Sequence, residues 1–278
     1  MKLSNYINLI LELENSDVLS EDESFSIDGF DRAILILDDI EDRSQIRDGK
    51  PCFYITNGIP NAKKEAEKLN RGVFITFDKI CKQRKIGIIK SFYAKFLLKK
   101  LHRNIKIGQQ IDKQLQSSQY NHNLLLKYDR MVLLFTGGHI KYAFLIGFLL
   151  SVKNPSYKNQ VVYIGEQIGV LRQIDDDIKD YEGYHHEALG DLIQHKNRLP
   201  ELLFQMYATS NEKTKLDDLL VNHSSNQSEI KNLIFNDKVK EHLNEKVNGV
   251  IVRINLKINI LPENYKSQLS QLMSNFLE

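Results

Sequence analysis

The apolar run Ala33-Ile34-Leu35-Ile36-Leu37 leads straight into Asp38-Asp39-Ile40-Glu41-Asp42. The arrangement returns further along the chain, where Leu171-Arg172-Gln173-Ile174-Asp175 precedes Asp176-Asp177-Ile178-Lys179-Asp180. On a helix, residues four apart share a face, so Asp38 sits over Asp42 and Asp176 over Asp180. Like charges at that spacing repel, and placing them after an apolar run costs free energy unless a counter-charge is supplied. Hard divalent cations supply one. Mg²⁺ prefers carboxylate oxygens together with water and phosphate oxygens, and takes few protein ligands of its own. One such pentad reads equally well as an acidic helix start beside the positive end of the helix dipole. Two in one chain point to a metal-assisted site.

Working outward, the chain reads as helical. Only five prolines occur in 278 residues, and none lies between Pro60 and Pro155. Apolar residues recur at helical spacing, as at Ile88, Phe92 and Phe96, whose apolar face alternates with a lysine face at Lys95 and Lys99. No stretch keeps a two-residue alternation between turn signals, so a sheet finds little support. Turn punctuation falls at Asp48-Gly49-Lys50-Pro51, Asn57-Gly58-Ile59-Pro60 and Lys153-Asn154-Pro155-Ser156. The most apolar stretch, Met131 to Leu150, is interrupted by Gly137, Gly138, His139 and Lys141. Its longest clean run, Phe144 to Leu150, is far short of the roughly 20 residues of a membrane span, so it reads as a buried core helix. The expectation is an all-α single domain spanning 1–278.

Composition narrows the function classes. Lys plus Arg number 38 against 36 Asp plus Glu, a net charge of +2, which argues against a nucleic-acid binder. Two cysteines, Cys52 and Cys81, neither complete a zinc site nor suggest a disulfide framework, and favour a reducing, cytoplasmic setting. The start Met1-Lys2-Leu3-Ser4-Asn5 does not read as a signal peptide. Charge is segregated along the chain, however. Glu12 to Asp48 holds 13 acids and 3 arginines, whereas Lys79 to Lys113 holds 11 basic residues and one acid, Asp112. The basic 79–113 face reads either as a solvated lysine surface or as a contact for anionic lipid or a partner chain.

The residues around the acidic pentads resemble the trans-isoprenyl diphosphate synthase (polyprenyl synthetase) family. Leu37 to Pro51 resembles that family's first aspartate-rich motif with its arginine-glycine tail, and Gly58-Ile59-Pro60-Asn61-Ala62 the segment that follows it in geranylgeranyl-type members. Gly108-Gln109-Gln110-Ile111-Asp112 resembles its Gly-Gln-x-x-Asp helix. Gln173 to Tyr181 resembles the second aspartate-rich motif, followed by Gly190-Asp191-Leu192 and Lys196. The resemblance covers residues from about 30 to 200 and is most specific in the paired aspartate motifs.

It implies an isoprenoid synthase-type bundle of antiparallel helices around a central cavity, with the two motifs facing each other at the mouth. Three Mg²⁺ ions would bridge Asp38, Asp39, Asp42, Asp176, Asp177 and Asp180 to the diphosphate of an allylic prenyl substrate. Of these, Asp38, Asp42 and Asp176 would be direct ligands, and Asp180 would act through water. Arg47, Lys196 and Thr136 would hold the diphosphate, Gln173 would lie near the developing carbocation, and a homodimer or heteromer would be the assembled form. Ala33 and Ile34, just ahead of the first motif, would leave room for a C15–C20 chain.

The sequence also departs from the pattern. No Gly-Lys-Arg segment precedes Asp38, the family's second arginine after the first motif aligns with Asp48, and the lysine expected ahead of Thr136 aligns with Phe135. A further lysine expected between the second motif and Gly190 is missing from Tyr181-Glu182-Gly183-Tyr184-His185-His186. The Gly-Lys-Arg segment and the second arginine are cations the family uses for isopentenyl diphosphate, so the ionising half of the site looks intact and the acceptor half erased. Three readings stay open: prenyl transfer to isopentenyl diphosphate or another nucleophile, a terpene cyclase that needs no isopentenyl diphosphate, and a subunit of a heteromeric synthase. His122, His139, His185 and His186 carry no assignment.

Overall fold

A computed structural model describes residues 2–116, 123–182, 189–193 and 196–276. His122, His185, His186 and most of the stretch where the further lysine is missing lie outside the described residues. The fold is all-α. Three helices open the chain: α1 (Leu3–Leu13), α2 (Glu21–Ile27) and α3 (Gly29–Asp42). A short α4 (Phe53–Asn57) leads into the long α5 (Ile59–Gln83) and α6 (Ile88–Gln116), consistent with the proline-free stretch. Then come α7 (Asn123–Leu134), α8 (Thr136–Leu150) and α9 (Lys158–Lys179), the short α10 (Gly190–Ile193), α11 (Leu199–Tyr207), α12 (Ser210–Leu220), α13 (His223–Ile234), α14 (Asp237–Ile258) and α15 (Glu263–Ser274).

The core is built around α8, which buries residues on all sides, among them Ile140, Phe144, Ile146 and Phe148. It packs on α9 and α1. The α8–α9 approach depends on small residues: a Cβ on Gly169 would lie 2.5 Å from the Thr136 carbonyl oxygen and 2.6 Å from Gly137 Cα. That closeness brings Thr136 of α8 against Gln173 of α9, whose side-chain oxygen accepts the threonine hydroxyl.

Three expectations change. The Met131–Leu150 run is not one helix; it breaks at Phe135, whose ψ of −88 is non-helical, and the Gly137-Gly138 turn that follows can then settle against α9. Asn123–Leu150 as a whole is long and apolar enough to cross a membrane, yet 67% of its most apolar window is buried inside the protein. Second, a two-stranded antiparallel ribbon pairs Ile46–Arg47 with Lys50–Pro51. Its turn places Asp48 (φ 50) and Gly49 (φ 73) in the left-handed region that two-residue hairpins of this twist require. Strands of two residues are too short to show alternation. Third, the Ile88–Phe92–Phe96 face of α6 does not face the core. These residues are 77%, 69% and 54% exposed, and α6 buries Ala94, Leu98, Leu101 and Ile105 instead. The result is an exposed apolar stripe flanked by lysines.

Candidate active site

The helix α3 ends at Asp42 because Arg43 adopts a left-handed conformation (φ 56), and the ribbon then turns the chain back along the helix. That reversal lets Arg47 grip Asp39, with Nε at 2.8 Å and Nη2 at 2.7 Å from Oδ1. Asp39 is buried and does not line the cavity, whereas Asp38 and Asp42 do. The second motif closes α9 in the same orientation, and Asp176, Asp177 and Asp180 line the same cavity. Its volume is about 360 Å³, at the small end of the range typical for ligand sites. Ile34, Leu35, Met131 and Phe135 form its apolar wall; Ala33 is buried in the core and does not reach it.

Each aspartate has a distinct environment. Asp38 accepts a long contact from Gln109 Nε2 at 3.4 Å and lies 3.8 Å from Arg47 Nη2. Burial, reinforced by the charge on Asp42, pushes its carboxyl up to about 6. Asp42 is paired with Lys196 Nζ at 2.7 Å. Asp177 is almost wholly buried and takes hydrogen bonds from the Tyr128 hydroxyl at 2.6 Å, Gln173 Nε2 at 2.8 Å and the Leu199 N–H at 3.2 Å; burial raises it to about 6. It therefore ties α9 to α7 and α11 as well as lining the cavity. Asp180 accepts the Asp191 N–H at 3.1 Å, and burial with the nearby Asp191 charge raises it to about 6.

Cations link the first motif and α6 to Asp191, whose backbone N–H meets Asp180. Lys196, only 7% exposed, bridges Asp42 at 2.7 Å and Asp191 at 3.1 Å. Arg198 binds Asp191 at 2.8 Å and also Asp112, the last residue of the Gly108–Asp112 segment on α6. Burial alone would raise Asp191, but Arg198 and Lys196 hold it well below the usual carboxylate range. Arg172, one helical turn before Asp176, also lines the cavity. Arg172 and Arg198 were not picked out from the sequence. Arg172 is four residues before Asp176 and Arg198 two after Lys196, so spacing held a faint signal for both. Asp48 and Phe135, at two of the positions where the resemblance expects a cation, line the cavity.

The donor set fits Mg²⁺. Among the described residues lining the cavity, eight carboxylates face four cations, a surplus of four negative charges when all are ionised. No three carboxylate, histidine or cysteine side chains among the described residues gather into a ready protein cage. Mg²⁺ does not need one, since it is commonly held by one or two carboxylates with the remaining positions filled by water and substrate phosphates. Asp38 with Asp42, and Asp176 with Asp180, are the pairs that would hold it.

Residues 24–236 match the polyprenyl synthetase family. A geranylgeranyl pyrophosphate synthase of Dictyostelium discoideum is 28% identical over 272 residues, covering 95% of this chain and 80% of the relative. The geranylgeranyl pyrophosphate synthase paxG of Penicillium paxilli is 26% identical over 207 residues, covering 70% of this chain, which spans about half (50%) of that relative's length. Among solved structures, a geranylgeranyl pyrophosphate synthetase from Pyrococcus horikoshii superposes with a TM-score of 0.80 at 18% identity, over 99% of this chain and 85% of the other. A Caulobacter crescentus polyprenyl synthase complexed with calcium and isoprenyl diphosphate gives 0.81 at 17% identity, over 99% and 83%.

Proposed function

The chain belongs to the polyprenyl synthetase family, and we propose that it is a Mg²⁺-dependent prenyltransferase-type enzyme that ionises an allylic prenyl diphosphate. The observation that carries this reading is a single cavity with Asp38 and Asp42 on one wall, Asp176 and Asp180 on another, and Ile34, Leu35, Met131 and Phe135 beside them. The carboxylates suit the ions that accompany a diphosphate, and the apolar wall suits the hydrocarbon attached to it. Bound Mg²⁺ would supply Lewis acidity to the diphosphate oxygens, easing departure of pyrophosphate from the allylic carbon.

The chain's own residues do the rest. Lys196 and Arg198 bring positive charge to the cavity wall, where the leaving group gains negative charge. Gln173 is held in one orientation, its oxygen by Thr136 and its nitrogen by Asp177 at 2.8 Å, which places a fixed amide dipole on the wall near the carbocation. Arg47, fixed on Asp39, closes the mouth beside Asp38. Phe135 and Met131 shield the reacting carbon from water.

Prenyl transfer is the reading that family membership favours. Cyclisation without isopentenyl diphosphate is a second reading, supported by Asp48 standing on the cavity wall where the resemblance places an arginine for that acceptor. Incubating the chain with Mg²⁺ and farnesyl or geranylgeranyl diphosphate, with and without isopentenyl diphosphate, tests both. A longer prenyl diphosphate formed only with isopentenyl diphosphate supports transfer, and a cyclic hydrocarbon or alcohol formed without it supports cyclisation. Substrate left intact under every condition contradicts the proposal for the chain acting alone.

The exposed stripe of α6 supports contact with another subunit, in the simplest case a second copy of this chain. Phe92→Glu should then shift the purified protein toward monomer in light scattering. An unchanged mass would contradict that contact.

A further inference from the structure

Gln173 is held at both ends of its side-chain amide, and the two holds differ in kind. Asp177, one turn further along α9, is only 2% exposed. An ionised carboxylate accepts hydrogen bonds and donates none, so the amide atom 2.8 Å from Asp177 Oδ1 is the nitrogen. The Thr136 hydroxyl at the start of α8 can donate or accept. It donates to the amide oxygen, because the nitrogen is already turned to Asp177. The carboxylate therefore sets which way round the amide lies on the cavity wall.

Asp177 is itself fixed from two further elements. Its Oδ2 takes the hydroxyl of buried Tyr128 on α7 at 2.6 Å and the Leu199 N–H at the start of α11 at 3.2 Å. Oδ1 is left to Gln173. Three converging donors are the surroundings of a carboxylate held in its ionised form. Asp38 and Asp176, by contrast, keep 30% and 39% of their side chains exposed, where an ion from solution can reach them. Asp177 is committed to the protein's own donors.

We propose that Asp177 and Tyr128 are positioning residues, which fix the Gln173 amide so that its oxygen and not its nitrogen serves the allylic carbocation, and that Asp177 is not a metal ligand. The oxygen end of an amide carries partial negative charge and stabilises a neighbouring cation, whereas the N–H end would oppose one. Holding the amide before the C–O bond breaks spares the cost of turning it at that moment. The inference rests on the reading of the chain as an allylic diphosphate enzyme, and it departs from the resemblance, which implies metal contact for Asp177.

The test combines the kinetics of pyrophosphate release from farnesyl or geranylgeranyl diphosphate with calorimetric titration of Mg²⁺ into the full chain. Tyr128→Phe keeps every charge and should lower kcat about 3- to 10-fold, the range for one lost hydrogen bond, with KM and Mg²⁺ affinity unchanged. In a Gln173→Ala background the same substitution should cause no further loss, because Tyr128 acts through that amide. A merely structural role would slow both backgrounds equally. Asp177→Asn and Asp176→Asn remove the same charge, so their difference isolates the metal bond, and Asp176→Asn should weaken Mg²⁺ about 10-fold more. Asp177→Asn should still lower kcat, by less in the Gln173→Ala background than in wild type, which carries the test if Tyr128→Phe fails to fold. Unchanged kcat in Tyr128→Phe, an undiminished loss in the Gln173→Ala background, or a Mg²⁺ deficit in Asp177→Asn as large as in Asp176→Asn overturns the inference and leaves the reading beneath it standing. If wild type releases no pyrophosphate with or without isopentenyl diphosphate, the two fall together.

Discussion

Replacing Lys196 with methionine probes the electrostatics of the cavity most sharply. The ammonium group is 7% exposed and has two carboxylate partners, Asp42 at 2.7 Å and Asp191 at 3.1 Å. At an effective dielectric of about 20, those contacts amount to ~6 and ~5 kcal/mol of gross attraction. Most of this is offset by the desolvation of the ions, and removing one partner of a buried pair typically costs about 3–5 kcal/mol, because the remaining charge is left uncompensated. Asp191 keeps Arg198, so the uncompensated group is chiefly Asp42. For a chain of this size, roughly 2 °C of Tm accompanies each kcal/mol, which places the metal-free Lys196→Met protein about 6–10 °C below wild type. The assay is thermal unfolding in chelator and again in Mg²⁺. Because the substitution frees Asp42 from its counter-ion, the variant should bind Mg²⁺ more tightly than wild type; a tenfold tighter Kd at saturating Mg²⁺ narrows the gap by about 1.4 kcal/mol, or roughly 3 °C. Equal melting temperatures in chelator, or a deficit that Mg²⁺ does not reduce, would refute the placement of Lys196 as internal counter-ion to the first motif.

Other residues make separate predictions. Glu201 is buried, accepts the Tyr181 hydroxyl, and is pushed up to about 8 by burial. The unfolded chain releases this proton near the ordinary glutamate value of 4.5 while the folded chain keeps it, so stability falls as pH rises from about 4.5 to 8, at ~1.4 kcal/mol per pH unit. Glu201→Gln should therefore melt like wild type near pH 4 and clearly above it at pH 8; parallel curves across that window would count against a neutral buried carboxyl. Gly169→Ala should destabilise by about 1–3 kcal/mol in denaturant unfolding, since its Cβ meets the Thr136 carbonyl at 2.5 Å; a neutral result would mean the helices part freely. Tyr128→Phe removes the 2.6 Å hydrogen bond to buried Asp177 and should cost about 1–3 kcal/mol by the same measurement. An unchanged midpoint would show that Asp177 gains nothing from that hydroxyl.

The site was largely legible in the sequence because its signal is local. The i, i+4 spacing of Asp38 with Asp42 and Asp176 with Asp180 is a property of one helix each, and both pairs line the cavity. Lys196 also lines the cavity, joined to Asp42 across 154 residues of chain, a partnership that no spacing announces. Partnerships that depend on tertiary approach were not legible. Nothing in the neighbourhood of Arg198 announces Asp112, nor does Arg172 announce Tyr6, 166 residues away. Periodicity misled on α6, because a stripe at helical spacing looks the same whether it meets the core or solvent, and Ile88, Phe92 and Phe96 are exposed. The break at Phe135 was hidden within an apolar run, where backbone geometry is set by packing on α9 rather than by residue type.

The central claim, that facing aspartate pairs on α3 and α9 ionise an allylic diphosphate, is tested most directly by pyrophosphate release from farnesyl or geranylgeranyl diphosphate. Wild type, Asp38→Asn and Asp176→Asn should be compared in Mg²⁺ and in chelator. The account predicts release by wild type in Mg²⁺ only, with each variant reduced by roughly two or more orders of magnitude, as for loss of a group that stabilises transition-state charge. Full release by either variant, or by wild type in chelator, would contradict it.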